Sequence, residues 1–235
     1  LGFVGSFKIR LPIQAELIYN YKNKYKIKNL RKYRQNHAAF YGSYLNRRQF
    51  MEYFEKQIST KTVYKGRIVN VRSDMAELHN GAIVPREVVE HPGGVAIVPV
   101  NEAGRVIMVR QFRYPLGEGM LEIPAGKLEA GEDPHDCALR ELSEETGCSA
   151  GQMVYLGPMY PSPGFSQEIL HLYLDTALEG GQAHPDENEF LSVETYTFRE
   201  LEEKIMSGEI RDGKTIVGIY KAMVYLKNKE EERFS

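Results

Sequence analysis

Between Gly126 and Cys148 the chain reads GKLEAGEDPHDCALRELSEETGC, with Glu132, Arg140, Glu141, Glu144 and Glu145 at set intervals within it. Asp133 suits an N-cap and Pro134 the first helical position, where its missing N–H costs nothing. Gly147 suits the left-handed residue that ends a helix. These marks predict one helix over Pro134–Thr146, with Glu141 and Glu145 on one face and Glu144 beside Glu141. Like charges at such spacings destabilise an isolated helix, and a hard divalent cation held by carboxylate oxygens offsets the repulsion. Arg140, four residues before Glu144, is placed to orient it by a charge-assisted pair. The loop before the helix carries Gly126 and Gly131 at its ends, so its backbone can approach a ligand or metal closely. A solvated acidic helix face is the competing reading. The full spacing is too constrained for it: a glycine, five residues, Glu132, seven residues, then Arg-Glu-aliphatic-x-Glu-Glu-x-Gly.

That spacing resembles the Nudix box, the signature of hydrolases of nucleoside diphosphates linked to another group. Every fixed position is filled. The one departure is Cys148, where the family usually has an aliphatic residue, and cysteine packs as a small hydrophobe. The resemblance implies an α+β Nudix fold, a mixed β-sheet core with a catalytic loop-helix-loop and flanking helices, plus a small N-terminal antiparallel sheet. It also implies a Mg2+ cofactor, replaceable by Mn2+, held by Glu141, Glu145 and the backbone carbonyl of Ala125. Glu144 would support the ion, and Glu132 would lie near it or brace the loop.

Three further segments narrow the substrate. Ser162-Pro163-Gly164-Phe165 followed by Glu168 is similar to the ADP-ribose pyrophosphatase subgroup; Pro-Gly fixes a tight loop, and Glu168 can accept hydrogen bonds from ribose hydroxyls. In RQFRYP, Arg110 and Arg113 are expected on one strand face, pairing bidentately with phosphate oxygens. The subgroup looks similar here: Arg113 matches its pyrophosphate-binding arginine, and Arg86 matches another substrate arginine. The loop Asp186-Glu187-Asn188-Glu189 resembles one whose carboxylates act as general base and as ligand of an extra metal. Glu187 matches the base and Glu189 the ligand, and the two are exchangeable. An ordinary turn, solubilising arginines and a solvated acidic loop are the competing readings of these segments. The implied substrate is a nucleotide sugar, ADP-ribose, cleaved to AMP and ribose 5-phosphate. The alternatives are a pyrophosphatase for ADP-glucose or GDP-mannose, and a non-hydrolysing ADP-ribose-sensing module. Such modules often lose box glutamates, and this chain keeps them all.

These side chains need a frame. Strands are expected over residues 63–74, 82–90, 94–100, 105–114, 120–123, 153–158, 168–176 and 190–197. Asn80-Gly81 is a strong hairpin signal, and residues 101–104 read as a second hairpin. His91 reads as a turn residue rather than a ligand. Thr197 and Glu200 form a capping box for a helix ending at Met206 before Gly208, and a last helix spans residues 214–229.

Composition divides the chain. Residues 1–50 hold eleven Lys or Arg and one acid, Glu16; the rest holds nineteen basic and thirty-one acidic residues. An acidic body argues against a nucleic-acid partner and suits a site that collects divalent cations. The organisation expected is a poorly ordered basic extension (1–57), an N-terminal β subdomain (58–91) and a Nudix domain (92–235). The chain begins at Leu1 rather than Met, as a fragment or processed form would. No apolar run approaches the ~20 residues that span a bilayer, and no secretory signal pattern is present. Cys137 and Cys148 make neither a disulfide framework nor a zinc spacing, which points to a cytoplasmic protein without a membrane partner. The resemblance further implies a homodimer in which residues 60–90 reach the partner and help form the adenine pocket, with Tyr64 and Arg67 as candidate contacts.

Overall fold

The computed structural model describes residues 53–180 and 191–234; most of the expected basic extension lies outside the described residues. The chain first forms an antiparallel sheet of β1 (Glu55–Lys65), β2 (Asn70–Leu78) and β3 (Ile83–Glu90), in that order. The Asn80-Gly81 turn follows from its residues. Gly81 takes φ 82°, Leu78 N–H donates to Ala82 O at 2.8 Å, and the Asn80 side chain accepts from Ala82 N–H at 3.1 Å. The single strand expected over 63–74 is instead two, reversing where Gly66 N–H donates to Val69 O at 3.0 Å. β1 is exposed along its whole length, so no buried face marks it by alternation. It also starts at Glu55, inside the stretch assigned to the extension.

Two further sheets carry the core. β4 (Gly94–Pro99), β7 (Ala125–Lys127), β8 (Met153–Met159) and β9 (Leu170–Asp175) form a mixed sheet in the order β7-β4-β9-β8, with β4 and β9 parallel. β5 (Val106–Arg113), β6 (Glu118–Glu122) and β10 (Leu191–Tyr196) form an antiparallel sheet in the order β10-β5-β6. The helices are α1 (Pro134–Thr146), α2 (Phe198–Met206) and α3 (Gly213–Phe234). On one side of β4, Val95 and Ile97 pack with Cys137, Ala138 and Leu142 of α1. On the other, Ala96 and Val98 share a core with Leu201 of α2 and Ile219 and Ala222 of α3. A strand covered on both faces reads as a continuous apolar run, which GVAIVP is.

Three expectations need correction. The turn after β4 is tight, with Gly104 N–H donating to Asn101 O at 2.9 Å, but it is not a full hairpin. β4 and β5 separate into different sheets after one bridge, Val100 to Val106. Residues 125–127, read as loop, pair with β4 as an edge strand. α3 continues to Phe234, past the expected end at 229, and Lys227 meets Glu231 one turn on at 3.9 Å. No helix among the described residues is long and apolar enough to cross a membrane.

Candidate active site

α1 begins and ends where its caps dictate. The Asp133 side chain accepts from His135 N–H at 2.8 Å, Pro134 opens the first turn, and Gly147 closes the helix at φ 72°. The residues turned inward are Cys137, Ala138, Glu141, Leu142, Glu145 and Thr146. Two of those six positions carry carboxylates, which a core stripe does not tolerate without compensation. Glu141 is 8% exposed and Glu145 only 2%.

Both acids meet β7. Ala125 N–H donates to Glu145 Oε2 at 3.1 Å. A Cβ built on Gly126 would fall inside the Glu141 carboxylate. Glycine acts here by close approach rather than by a left-handed backbone: a larger residue would displace the carboxylate end of Glu141. Gly94 of β4 is constrained likewise, since its Cβ would strike the Gly126 carbonyl oxygen. Two glycines thus let β4, β7 and the acidic edge of α1 close on one another.

Arg140 gathers the remaining acids. Its Nε and Nη2 reach Glu132 at 2.9 and 3.1 Å, and its Nη1 donates to Glu141 at 2.7 Å and Glu144 at 3.0 Å. Nη2 also donates to the Lys127 carbonyl at 3.3 Å, tying the loop to the helix. Glu132 braces the same loop by accepting from Glu129 N–H at 2.8 Å. The Arg140 contact holds the Glu132 carboxyl down at about 2, against the opposing effect of burial. Burial first, and the Glu132 charge next, push the Cys137 thiol up to about 12, so it stays neutral and packs as a hydrophobe.

Among the described residues, the single guanidinium of Arg140 pairs with three carboxylates, Glu132, Glu141 and Glu144. Among the described residues no three His, Cys, Asp or Glu side chains gather as a metal cage; Glu132, Glu141 and Glu144 gather on Arg140 instead. The Glu141 and Glu145 carboxylates and the Ala125 backbone still fit a hard divalent cation. They are oxygen donors, and the seat of Glu141 over Gly126 exists only because no Cβ fills it.

The expected substrate residues are distributed more widely. Arg110 and Arg113 do not share a face of β5. They are three residues apart, and an odd separation sends side chains to opposite sides of a strand. Arg110 Nε donates to Glu194 of β10 at 2.7 Å, and Tyr196 binds the same carboxylate. Arg113 forks onto Glu122 at the end of β6, Nε to Oε1 at 2.7 Å and Nη2 to Oε2 at 2.6 Å. Arg86 forks onto Glu55 at 2.8 Å on the exposed N-terminal sheet, and Tyr64 is exposed on β1.

The Phe165 loop is tied to β3: Val89 N–H donates to Phe165 O at 2.8 Å, and Gln167 N–H to Val89 O at 2.9 Å. This brings the loop beside the box loop, and a groove of about 640 Å³ runs between His91, Leu128, Pro163, Gln167 and His171. His91 lies in the link between β3 and β4, its Nδ1 accepting from Gly93 N–H at 3.1 Å, with a Glu168 oxygen 3.7 Å away. Glu187 and Glu189 lie outside the described residues. The pairing of Glu122 with Arg113 and Lys214 was not anticipated from the sequence. The available signal was an acid set between Leu121 and Ile123 in an apolar run, where an ionised side chain persists only when paired.

Comparison with known proteins places the chain as a whole. The NUDIX domain profile matches residues 90–216, and that of the nucleoside diphosphate sugar hydrolase N-terminal domain matches residues 55–89. The methanol dehydrogenase activator of Bacillus methanolicus is 43% identical over 167 residues, 70% of this chain and 90% of its own length. The ADP-ribose pyrophosphatase of Bacillus subtilis (strain 168) is 41% identical over 178 residues, 75% of this chain and 94% of its own length. A solved structure described as the crystal structure of ADP compounds hydrolase matches with a TM-score of 0.67 at 20% identity, covering 74% of this chain and 95% of that one. At that identity the likeness speaks for the fold.

Proposed function

The chain belongs to the Nudix family, and from that premise we propose that it hydrolyses the pyrophosphate bond of ADP-ribose, giving AMP and ribose 5-phosphate. The observation that carries the reading is the pair of buried carboxylates, Glu141 and Glu145, closed over the Ala125–Gly126 backbone. The Bacillus subtilis relative, aligned over three quarters of this chain, supports the choice of substrate.

Nudix hydrolases are generally divalent-metal dependent, and here Glu141, Glu145 and the Ala125 carbonyl would hold Mg2+, or Mn2+ in its place, with Glu189 as a further ligand. When bound, the ion neutralises the diphosphate oxygens that repel a nucleophile and makes a water easier to deprotonate. Glu144 and Arg140 keep the helix carboxylates oriented. Arg113 donates to the diphosphate oxygens. Glu168 accepts from ribose hydroxyls, and Arg86 adds a cation from the N-terminal sheet. Glu187, or Glu189 in its stead, takes the proton of the attacking water. One P–O bond of the bridge breaks, and each product leaves with one phosphate. In this reading the enzyme is a cytoplasmic homodimer. Its sheet β1–β3, which exposes Ile58, Val63, Tyr64 and Ile83, reaches the partner.

The test is a phosphatase-coupled phosphate-release screen over ADP-ribose, ADP-glucose and GDP-mannose with Mg2+. ADP-ribose is expected to give the highest kcat/KM, and preference for another nucleotide sugar would overturn the substrate. Glu145→Gln is expected to cut ADP-ribose turnover by about 100-fold or more in a folded protein, a loss of several kcal/mol of charge stabilisation. Near-normal turnover would reject the role given to Glu145.

A further inference from the structure

Glu122 closes β6 with its side chain 2% exposed. A carboxylate so placed needs partners, and it has two. Arg113 forks onto both oxygens, and Lys214 Nζ binds Oε2 as well. Lys214 is shared with Asp212 at 3.0 Å, and Asp212 in turn accepts from Thr215 N–H at 3.0 Å at the start of α3. Burial pushes the Glu122 carboxyl up, but Arg113 and then Lys214 outweigh it, and the group stays below the usual carboxylate range.

The fork has a directional consequence. A guanidinium offers five N–H donors in one rigid plane. Glu122 takes the Nε–Nη2 edge, which fixes that plane and leaves Nη1 on the other side. Among the described residues Nη1 has no hydrogen-bond partner, and Arg113 stays 37% exposed. Glu145 is among the charges that act on this guanidinium, so Arg113 lies within electrostatic reach of the acidic edge of α1. The same short stretch sets both groups. Glu122 holds Arg113, Ile123 N–H donates to Thr215 Oγ1 at 2.9 Å, and Ala125 N–H donates to Glu145 at 3.1 Å.

We propose that Glu122 is a positioning residue for the reaction: it orders Arg113 in advance so that Nη1 meets the diphosphate, and Lys214 supplies the second cation that pairs with Glu122 in its buried seat. The proposal rests on the hydrolase reading and adds to it a residue that never touches substrate. Ordering a long side chain before binding removes an entropic cost from the encounter. If the cluster only ties α3 to β6, its loss acts independently of Arg113.

A double-mutant cycle on ADP-ribose hydrolysis with Mg2+ separates the two. Glu122→Gln is expected to lower kcat/KM by about tenfold, mostly through KM, the worth of one charge-assisted hydrogen bond. In an Arg113→Ala background the same change is expected to cost less than about twofold, because interacting residues are not additive. Equal losses in both backgrounds, or normal kcat/KM in Arg113→Ala alone, overturn the proposal. Should Glu122→Gln not fold, Glu122→Asp runs the same cycle, keeping the charge while shortening the reach. Calorimetric binding of inorganic pyrophosphate keeps the two claims apart. If the wild type binds pyrophosphate, both single variants lose it, and ADP-ribose is not hydrolysed, the substrate falls and the positioning role stands.

Discussion

Two carboxylate–cation clusters flank the segment from Glu122 to Ala125, and they are unbalanced differently. Around Arg140, one guanidinium serves Glu132, Glu141 and Glu144, with Glu145 against Ala125 close by. Around Glu122, one buried carboxylate is served by Arg113 and Lys214, and Asp212 shares the lysine. The second cluster closes on itself, two acids against two bases. The first, among the described residues, sets three acids against one base. The same residue types are therefore matched in one place and unmatched in the other.

Breaking the balanced cluster should cost the most stability. Glu122→Leu leaves Arg113 and Lys214 without their buried carboxylate and is expected to lower unfolding free energy by about 3–5 kcal/mol in urea titrations. Glu144→Gln in the acid-rich cluster, where the side chain is a third exposed, should change it by less than about 1 kcal/mol. Equal costs at the two positions would erase the distinction.

Gly126→Ala tests the other half of the contrast. The atoms nearest the added methyl are the end of the flexible Glu141 side chain, so Tm should barely move. Turnover should fall by about 10–100-fold, because a small misplacement of a reacting group is enough. Unchanged turnover would show that the seat of Glu141 is not functional.

A further effect lies in acid. Glu132 has its carboxyl lowered from an ordinary 4.5 to about 2 in the folded chain. Its contribution to stability is full above the unfolded value and is lost as pH falls through the folded one, since only the unfolded chain takes up the proton in between. In Glu132→Gln, the decline of Tm between pH 4.5 and about 2 should be shallower than in the wild type. Parallel declines would remove Glu132 from the acid response.

What could be read in advance was what local chemistry dictates. Asp133, Pro134 and Gly147 delimit α1, and Thr197 with Glu200 delimits the start of α2, because caps act within one helical turn. The carboxylates of α1 were legible for the same reason. The reversal after Lys65 was not, because an exposed strand carries no alternation. The separation of β4 from β5 and the pairing of residues 125–127 depend on partners distant in sequence. So does the seat of Glu122, whose lysine lies 92 positions away. The opposite faces of Arg110 and Arg113 were implicit in their three-residue separation, and their partners Glu194 and Glu122 appear only once the strands are ordered.

The claim beneath all of this is that the acidic edge of α1 binds divalent cations. Mn2+ titrated into the full chain and followed by electron paramagnetic resonance measures that binding without any substrate. The wild type is expected to bind Mn2+, and the Glu141→Gln/Glu145→Gln double variant, folded by circular dichroism, should bind at least about tenfold more weakly, a loss of about 1.4 kcal/mol or more. Equal binding by the two proteins would contradict the account.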